Sequence, residues 1–182
     1  GNSYFYPGAS MSFVLSDALE LPKQIDYLKL RTGYARTGND AIPYQINPVY
    51  ISGQTRAGGF ANVNFPFGGI SSFELDNNPG NPYLKPELTD ELELGFETKL
   101  FRNRISVEAT YYDKNTKDQI INLLVDAASG YTNQTVNLGT VNNKGVELLL
   151  SLIPIRNSVV EWGLNTNYTK NKNVVTSLGY TD

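Results

Sequence analysis

Carboxylates recur in this chain at intervals that invite chemistry. Glu91, Glu93 and Glu97 alternate along "TDELELGFETKLF", and Glu108, Glu147 and Glu161 take comparable places in later segments. Two acids flanking a glycosidic bond are what sugar hydrolysis needs, provided that their surroundings drive them to different protonation states. Acids repeating down one side of several segments describe a hydrated wall rather than a tuned pair, so a non-enzymatic role is expected. A second stretch, "ELDNNPGNP" at 74–82, offers the oxygen ligands that calcium takes but lacks the spacing of a known calcium loop. A turn-rich loop accounts for it better. No catalytic residue, metal ligand or cofactor-binding residue is assigned. In "RAGGFANVNFPFGGISSF", Phe60, Phe65, Phe67 and Phe73 are candidates for stacking on sugar rings or docking a lid protein, with loop packing as the alternative.

Composition narrows the field further. The 182 residues include neither histidine nor cysteine, which removes the commonest general base, the imidazole and thiolate metal ligands and any disulfide. Fifteen basic against eighteen acidic residues give a net charge of -3, which argues against a nucleic-acid partner. Tyrosine (12) outnumbers phenylalanine (8), a usage that suits strands. No apolar run approaches the roughly 20 residues of a membrane helix, and "GNSYFYPGAS" does not read as a signal peptide. Barrel strands, whose signal is far weaker, remain open.

The elements that would carry the acids alternate with period two. Six strands are expected, over residues 9–15, 25–36, 89–101, 104–113, 145–155 and 158–168, arranged as three antiparallel hairpins. Two-residue turns are expected at Arg102-Asn103 and Arg156-Asn157, and a longer turn at "SDALELPKQ". The opposite connections are long, over 38–88 and 116–144, and short turns on one side with long loops on the other are what outer-membrane barrels show. The three strands that lead toward the long loops end in "YARTGN", "YYDKNT" and "YTKNKN". Aromatic, cation and amide in that order suit a bilayer interface.

Parity sorts the residues into two faces. One holds Leu28, Leu30, Leu92, Leu94, Phe96, Val107, Leu148, Trp162 and Leu164; the other holds Lys29, Arg31, Gly33, Glu91, Glu93, Gly95, Glu97, Lys99, Glu108, Glu147, Glu161 and Gly163. A lysine or arginine facing lipid at mid-bilayer costs about 2–4 kcal/mol, so the second set is expected to line a wet lumen. The strands reach the ~9–11 residues that cross a membrane at a tilt, and their charged-face glycines suggest close approach of another backbone. The runner-up is a soluble β-sandwich that binds carbohydrate through its long loops, since sandwich strands alternate too.

"YLKLRTGYARTGN", "NPYLKPELTDELELGFETKLFRNRISVEATYYDKNTKDQI" and "VNLGTVNNKGVELLLS" resemble, in that order, barrel segments of the SusC/RagA-type TonB-dependent transporters of Bacteroidetes outer membranes. The resemblance implies an all-β, up-and-down antiparallel part of a large transmembrane barrel with long extracellular loops. It also implies a SusD-like surface lipoprotein as lid, energy from the TonB complex, and an oligosaccharide or peptide as cargo. Residues 1–182 resemble barrel only, with neither plug nor TonB box, so TonB contact would run through an N-terminal part outside these residues.

Overall fold

A computed structural model describes residues 4–53, 65–66 and 68–179. In chain order the elements are β1 (Gly8–Val14), α1 (Leu15–Ala18), β2 (Ile25–Asn39), β3 (Tyr50–Ser52), β4 (Phe73–Leu75), β5 (Glu87–Leu100), β6 (Ile105–Lys117), β7 (Ile120–Leu124), a 3-10 turn (Ala127–Ser129), β8 (Asn133–Asn137), β9 (Thr140–Arg156) and β10 (Glu161–Ser177). The chain divides into two units, one of Gly1–Gly38, Leu88–Lys117 and Gly139–Asp182, the other of Asn39–Glu87 and Asp118–Leu138.

The first unit is a single sheet of six strands in the order β1-β2-β5-β6-β9-β10, each beside the next main strand in sequence. β1 with β2, β5 with β6, β6 with β9 and β9 with β10 all pair antiparallel. Every main strand except the first runs longer than period-two counting indicated, because polar residues such as Asn115, Asn142 and Asn171 continue the ladder after the apolar alternation stops. β2 and β6 run toward the end of the sheet from which β5 and β9 return, and both tight turns lie at the other end. β1 and β10 are edges, so this sheet is an open stretch of wall. Among the described residues no apolar side chain is fully buried, and Leu94 (47%), Phe96 (39%) and Trp162 (55%) lie exposed on one face. A sandwich would have buried them in its own core, which removes that alternative.

Both hairpin turns have four residues rather than the expected two. At 101–104 the consecutive residues Phe101, Arg102 and Asn103 have φ of 57°, 59° and 59°. Left-handed backbone is costly for side-chain-bearing residues, and three contacts offset it. The Arg104 N–H donates to the Leu100 carbonyl at 3.0 Å and the Phe101 N–H to the Gln24 carbonyl at 2.9 Å, while the Asn103 N–H donates to the Asp26 carboxylate at 3.0 Å. This longer loop is centred where the two-residue turn was expected, so Glu91 still faces Lys114 and Leu94 still faces Tyr111.

The second turn shifts the pairing. A two-residue turn at 156–157 would set Leu152 opposite Glu161, apolar against acid. Instead Arg156 pairs with Glu161, and a bulge between Leu152 and Ile155 places both opposite Leu164 and Trp162 respectively. Pro154 lies inside that bulge, and proline, having no N–H to donate, is tolerated at such breaks. Asn157 closes the loop, its side-chain oxygen accepting from the Val159 and Val160 N–H groups at 2.9 and 2.8 Å.

The second unit gives structure to segments expected to be plain loops. β3 pairs with β4 and β7 with β8, each pair antiparallel. Thr135 of β8, only 1% exposed, donates from its hydroxyl to the Asn122 side-chain oxygen and accepts from the Asn78 amide at 2.6 Å. The Asn81 amide donates to the Thr135 carbonyl at 2.9 Å, and Asn137 exchanges hydrogen bonds with both backbone groups of Lys85 at 2.7 Å. "DNNPGNPYLK" is thereby tied to the β7–β8 hairpin. Removing the hydroxyl with Thr135→Val takes a partner from the half-buried Asn78 amide and from the exposed Asn122 side-chain oxygen, each bond worth about 0.5–1.5 kcal/mol. Amide exchange across 76–86 should accelerate roughly tenfold or more. Unchanged exchange would show that the backbone bonds hold the segment alone.

Candidate functional site

Alternation and register bring all twelve charged-face candidates to one side of the sheet. Lys29, Arg31 and Gly33 lie on β2; Glu91, Glu93, Gly95, Glu97 and Lys99 on β5; Glu108 on β6; Glu147 on β9; Glu161 and Gly163 on β10. The acids are not gathered into a pair. They are distributed along a ladder of ion pairs that crosses the strands: Lys29 to Glu97 at 3.3 Å, Lys99 to Glu97 at 3.9 Å, Lys114 to Glu91 at 3.1 Å, and Arg31 to Glu108 at 2.8 Å and Glu93 at 3.7 Å. Every one of these side chains is partly open to solvent. Such an arrangement neutralises a wall and keeps it wet; it does not tune one carboxyl against another.

Arg31 shows why glycine stands at position 95. Its side chain crosses β5 to reach Glu108 and the Thr110 hydroxyl on β6. A Cβ at Gly95 would collide with the Nε, Cγ and Cδ of Arg31. The close approach expected at glycine is made here by a neighbouring side chain. Gly145 is also crowded, beneath the Tyr112 ring and against the Lys170 carbonyl. Gly33 and Gly163 differ: their nearest neighbours, at 3.9 and 3.6 Å, are at ordinary contact distance. Around Gly33 the small residues Gly8, Ser10 and Ala35 leave a recess of about 390 Å³ bordered by Glu91 and Glu93. Close approach therefore explains two of the four glycines, and an open notch one more.

The Arg31 clamp yields a test in the intact protein. Glu108→Gln should cost about 0.2–1 kcal/mol, the worth of a solvent-screened pair, and nothing further once Gly95→Val has pushed the guanidinium aside. Urea midpoints of the folded protein measure this, and equal cost in both backgrounds would mean that Arg31 does not depend on Gly95.

Several participants and pairings were missed in the sequence. Lys114 stands in "YYDKNT" as an expected interface cation, yet the register turns it to the charged face opposite Glu91. Leu149 lies on the charged face between Glu108 and Asn167. Tyr34, Arg36 and Asp90 cluster on the apolar face at the long-loop end, with Arg36 to Asp90 at 2.6 Å and Tyr34 to Asp90 at 2.7 Å. Glu161 is paired with Arg156 at 2.8 Å beside the turn. Each depends on which residues stand opposite one another, which strand periodicity alone does not supply.

In the second unit Phe73 of β4 is 73% exposed and Phe65 is half-buried near Gly53. Phe60 and Phe67 lie outside the described residues. The amide oxygens of Asn78 and Asn81 accept from the N–H groups of Gly80 and Tyr83, so "ELDNNPGNP" spends them on turns rather than on a cation. Among the described residues no acidic cluster has the makings of a metal centre.

Residues 1–182 match the family described as "TonB dependent receptor-like, beta-barrel". The chain belongs to that family. TonB-dependent receptor P26 of Formosa agariphila is 29% identical over 185 residues, which cover 100% of this chain and 18% of P26. TonB-dependent receptor SusC of Bacteroides thetaiotaomicron is 27% identical over 154 residues, covering 83% of this chain and 15% of SusC. The fold also matches the RagAB peptide importer in its closed-closed state, with a TM-score of 0.79, 22% identity, and coverage of 96% of this chain and 18% of that one. This receptor segment thus spans under a fifth of the length of these relatives. It is outer-membrane barrel of the TonB-dependent receptor family, in which strands rather than helices cross the bilayer.

Proposed function

We propose that the segment forms barrel wall and extracellular loops of a TonB-dependent importer that takes up glycans or peptides with a SusD-like lipoprotein lid. The observation that carries this reading is the sorting of charge. The cations Lys29, Arg31, Lys99 and Lys114 on one face are all held by carboxylates, whereas from Leu92 to Leu100 and from Ile105 to Tyr111 the other face bears no charge. The paired face fits a hydrated lumen and the uncharged one fits lipid. Residues 1–182 act as one stretch of barrel with its loops, and the plug and TonB box belong to other parts of the receptor. Peptide cargo is favoured by the likeness to the RagAB peptide importer, and glycan cargo by the resemblance of the barrel segments noted in the sequence.

The test is uptake by cells carrying the full-length receptor, with labelled oligosaccharides and labelled peptides offered separately. Deleting the receptor should abolish accumulation of one class, and removing the lid protein or TonB should do the same. Accumulation that survives receptor deletion for both classes would overturn an import role.

A further inference from the structure

We propose that the outward face carries, at its long-loop end, a collar of lysines that holds the phosphate groups of surrounding lipid. The inference rests on the reading above that the Leu94 face meets the bilayer. Register sets Lys144 of β9 opposite Asp113 of β6 and Lys172 of β10, Lys170 opposite Val146, and Lys117 opposite Leu88 and Thr140. All four lysines therefore share the side of Leu94, Val107 and Leu150.

Their electrostatic situation is the reverse of that on the other face. Arg36 holds Asp90 at 2.6 Å, and Asp113 accepts from the Asn142 amide at 2.6 Å. Lys117, Lys144, Lys170 and Lys172 have no ion-pair partner among the described residues. Among the described strand residues of this face, they and Arg36 stand against Asp90, which Arg36 already holds and which Lys117 also attracts, and Asp113, a surplus of three positive charges on a chain whose net charge is -3. Unneutralised ammonium groups beside an apolar band need anions from outside the protein. Tyr34, Tyr111 and Tyr168 precede them on the same face, which marks the interface where rings meet headgroups. Lysine stems are long enough to lie along lipid while the ammonium reaches a headgroup phosphate. A soluble cargo or a lid would have no reason to select the outer side of the wall.

The full-length receptor in mild detergent, titrated with a bis-phosphorylated glycolipid and followed by native mass spectrometry, provides the test. Wild type should retain the phosphorylated lipid and bind its dephosphorylated counterpart much more weakly. Replacing Lys117, Lys144, Lys170 and Lys172 together by glutamine should weaken binding by at least about tenfold, given the attraction each lysine adds near an anionic surface. Lys114→Gln, on the opposite face, should leave it unchanged. If the quadruple variant loses the heat-dependent gel mobility of a folded barrel, Lys144→Gln with Lys170→Gln serves instead, with a smaller loss expected. Equal affinity of wild type and lysine variants, equal binding of the dephosphorylated lipid, or displacement by millimolar inorganic phosphate would overturn the proposal. Should Leu94→Arg assemble normally, the face assignment itself fails; should it block assembly while the lysine variants bind as wild type, only the lipid site fails.

Discussion

Leu94→Arg in the full-length receptor should cost about 2–4 kcal/mol and sharply reduce folded barrel in the outer membrane, because it places a cation in lipid. Leu94 stands 47% exposed in the middle of the uncharged face, opposite Tyr111 and beside Phe96. Glu93→Gln, one residue away, should assemble normally. Glu93 meets Arg31 only at 3.7 Å, and Arg31 keeps its shorter bond to Glu108 at 2.8 Å, so the loss is that of a screened pair, below about 1 kcal/mol. The amide keeps the size of the side chain and its capacity to hydrogen-bond in water. Quantifying heat-modifiable barrel in outer-membrane fractions separates the two variants. Equal tolerance, or failure of the Glu93 variant alone, would mean that the faces are reversed.

Gly145→Val should destabilise the same barrel by about 1–3 kcal/mol, the usual cost of overpacking. Its Cβ would lie 2.6 Å from the Tyr112 hydroxyl and 2.7 Å from the Lys170 carbonyl oxygen. The ring can swing away, but the carbonyl belongs to the backbone of β10, where Gly145 pairs with Asn171. Yielding there means distorting the ladder between β9 and β10. Gly33→Val, with only the Ser10 Cβ at 3.9 Å, should cost far less. Adding Tyr112→Ala to Gly145→Val should recover only part of the loss, since the backbone contact persists. Urea midpoints followed by gel mobility decide it, and equal effects at positions 33 and 145 would refute the crowding argument.

Much of the wall was legible from period two. Residues on a strand alternate whatever the partner, so "TDELELGFETKLF" assigns Glu93 and Leu94 to opposite faces before any pairing is known. Chain-order neighbours and the placement of short and long connections followed from the same pattern. The sequence could not show where each ladder ends, because polar residues such as Asn142 and Asn171 extend a strand only when a paired neighbour satisfies their backbone groups.

Register across strands was decided in three dimensions. Arg31 reaches Glu108 over Gly95, Lys114 turns to the charged face beside Glu91, and Pro154 sits in the bulge that keeps Leu152 opposite Leu164. Each contact joins residues far apart in the chain, and turn length, bulge position and neighbouring side chains fix it jointly. Thr135 makes the same point in the loops: nothing in "NQTVN" distinguishes it from any other polar strand residue until Asn78 and Asn122 close around its hydroxyl. Alternation along one strand is a local property that the sequence determined alone; which charges are neutralised and which lysines on the Leu94 face are left without an ion-pair partner among the described residues is a property of paired strands, and only the tertiary structure set it.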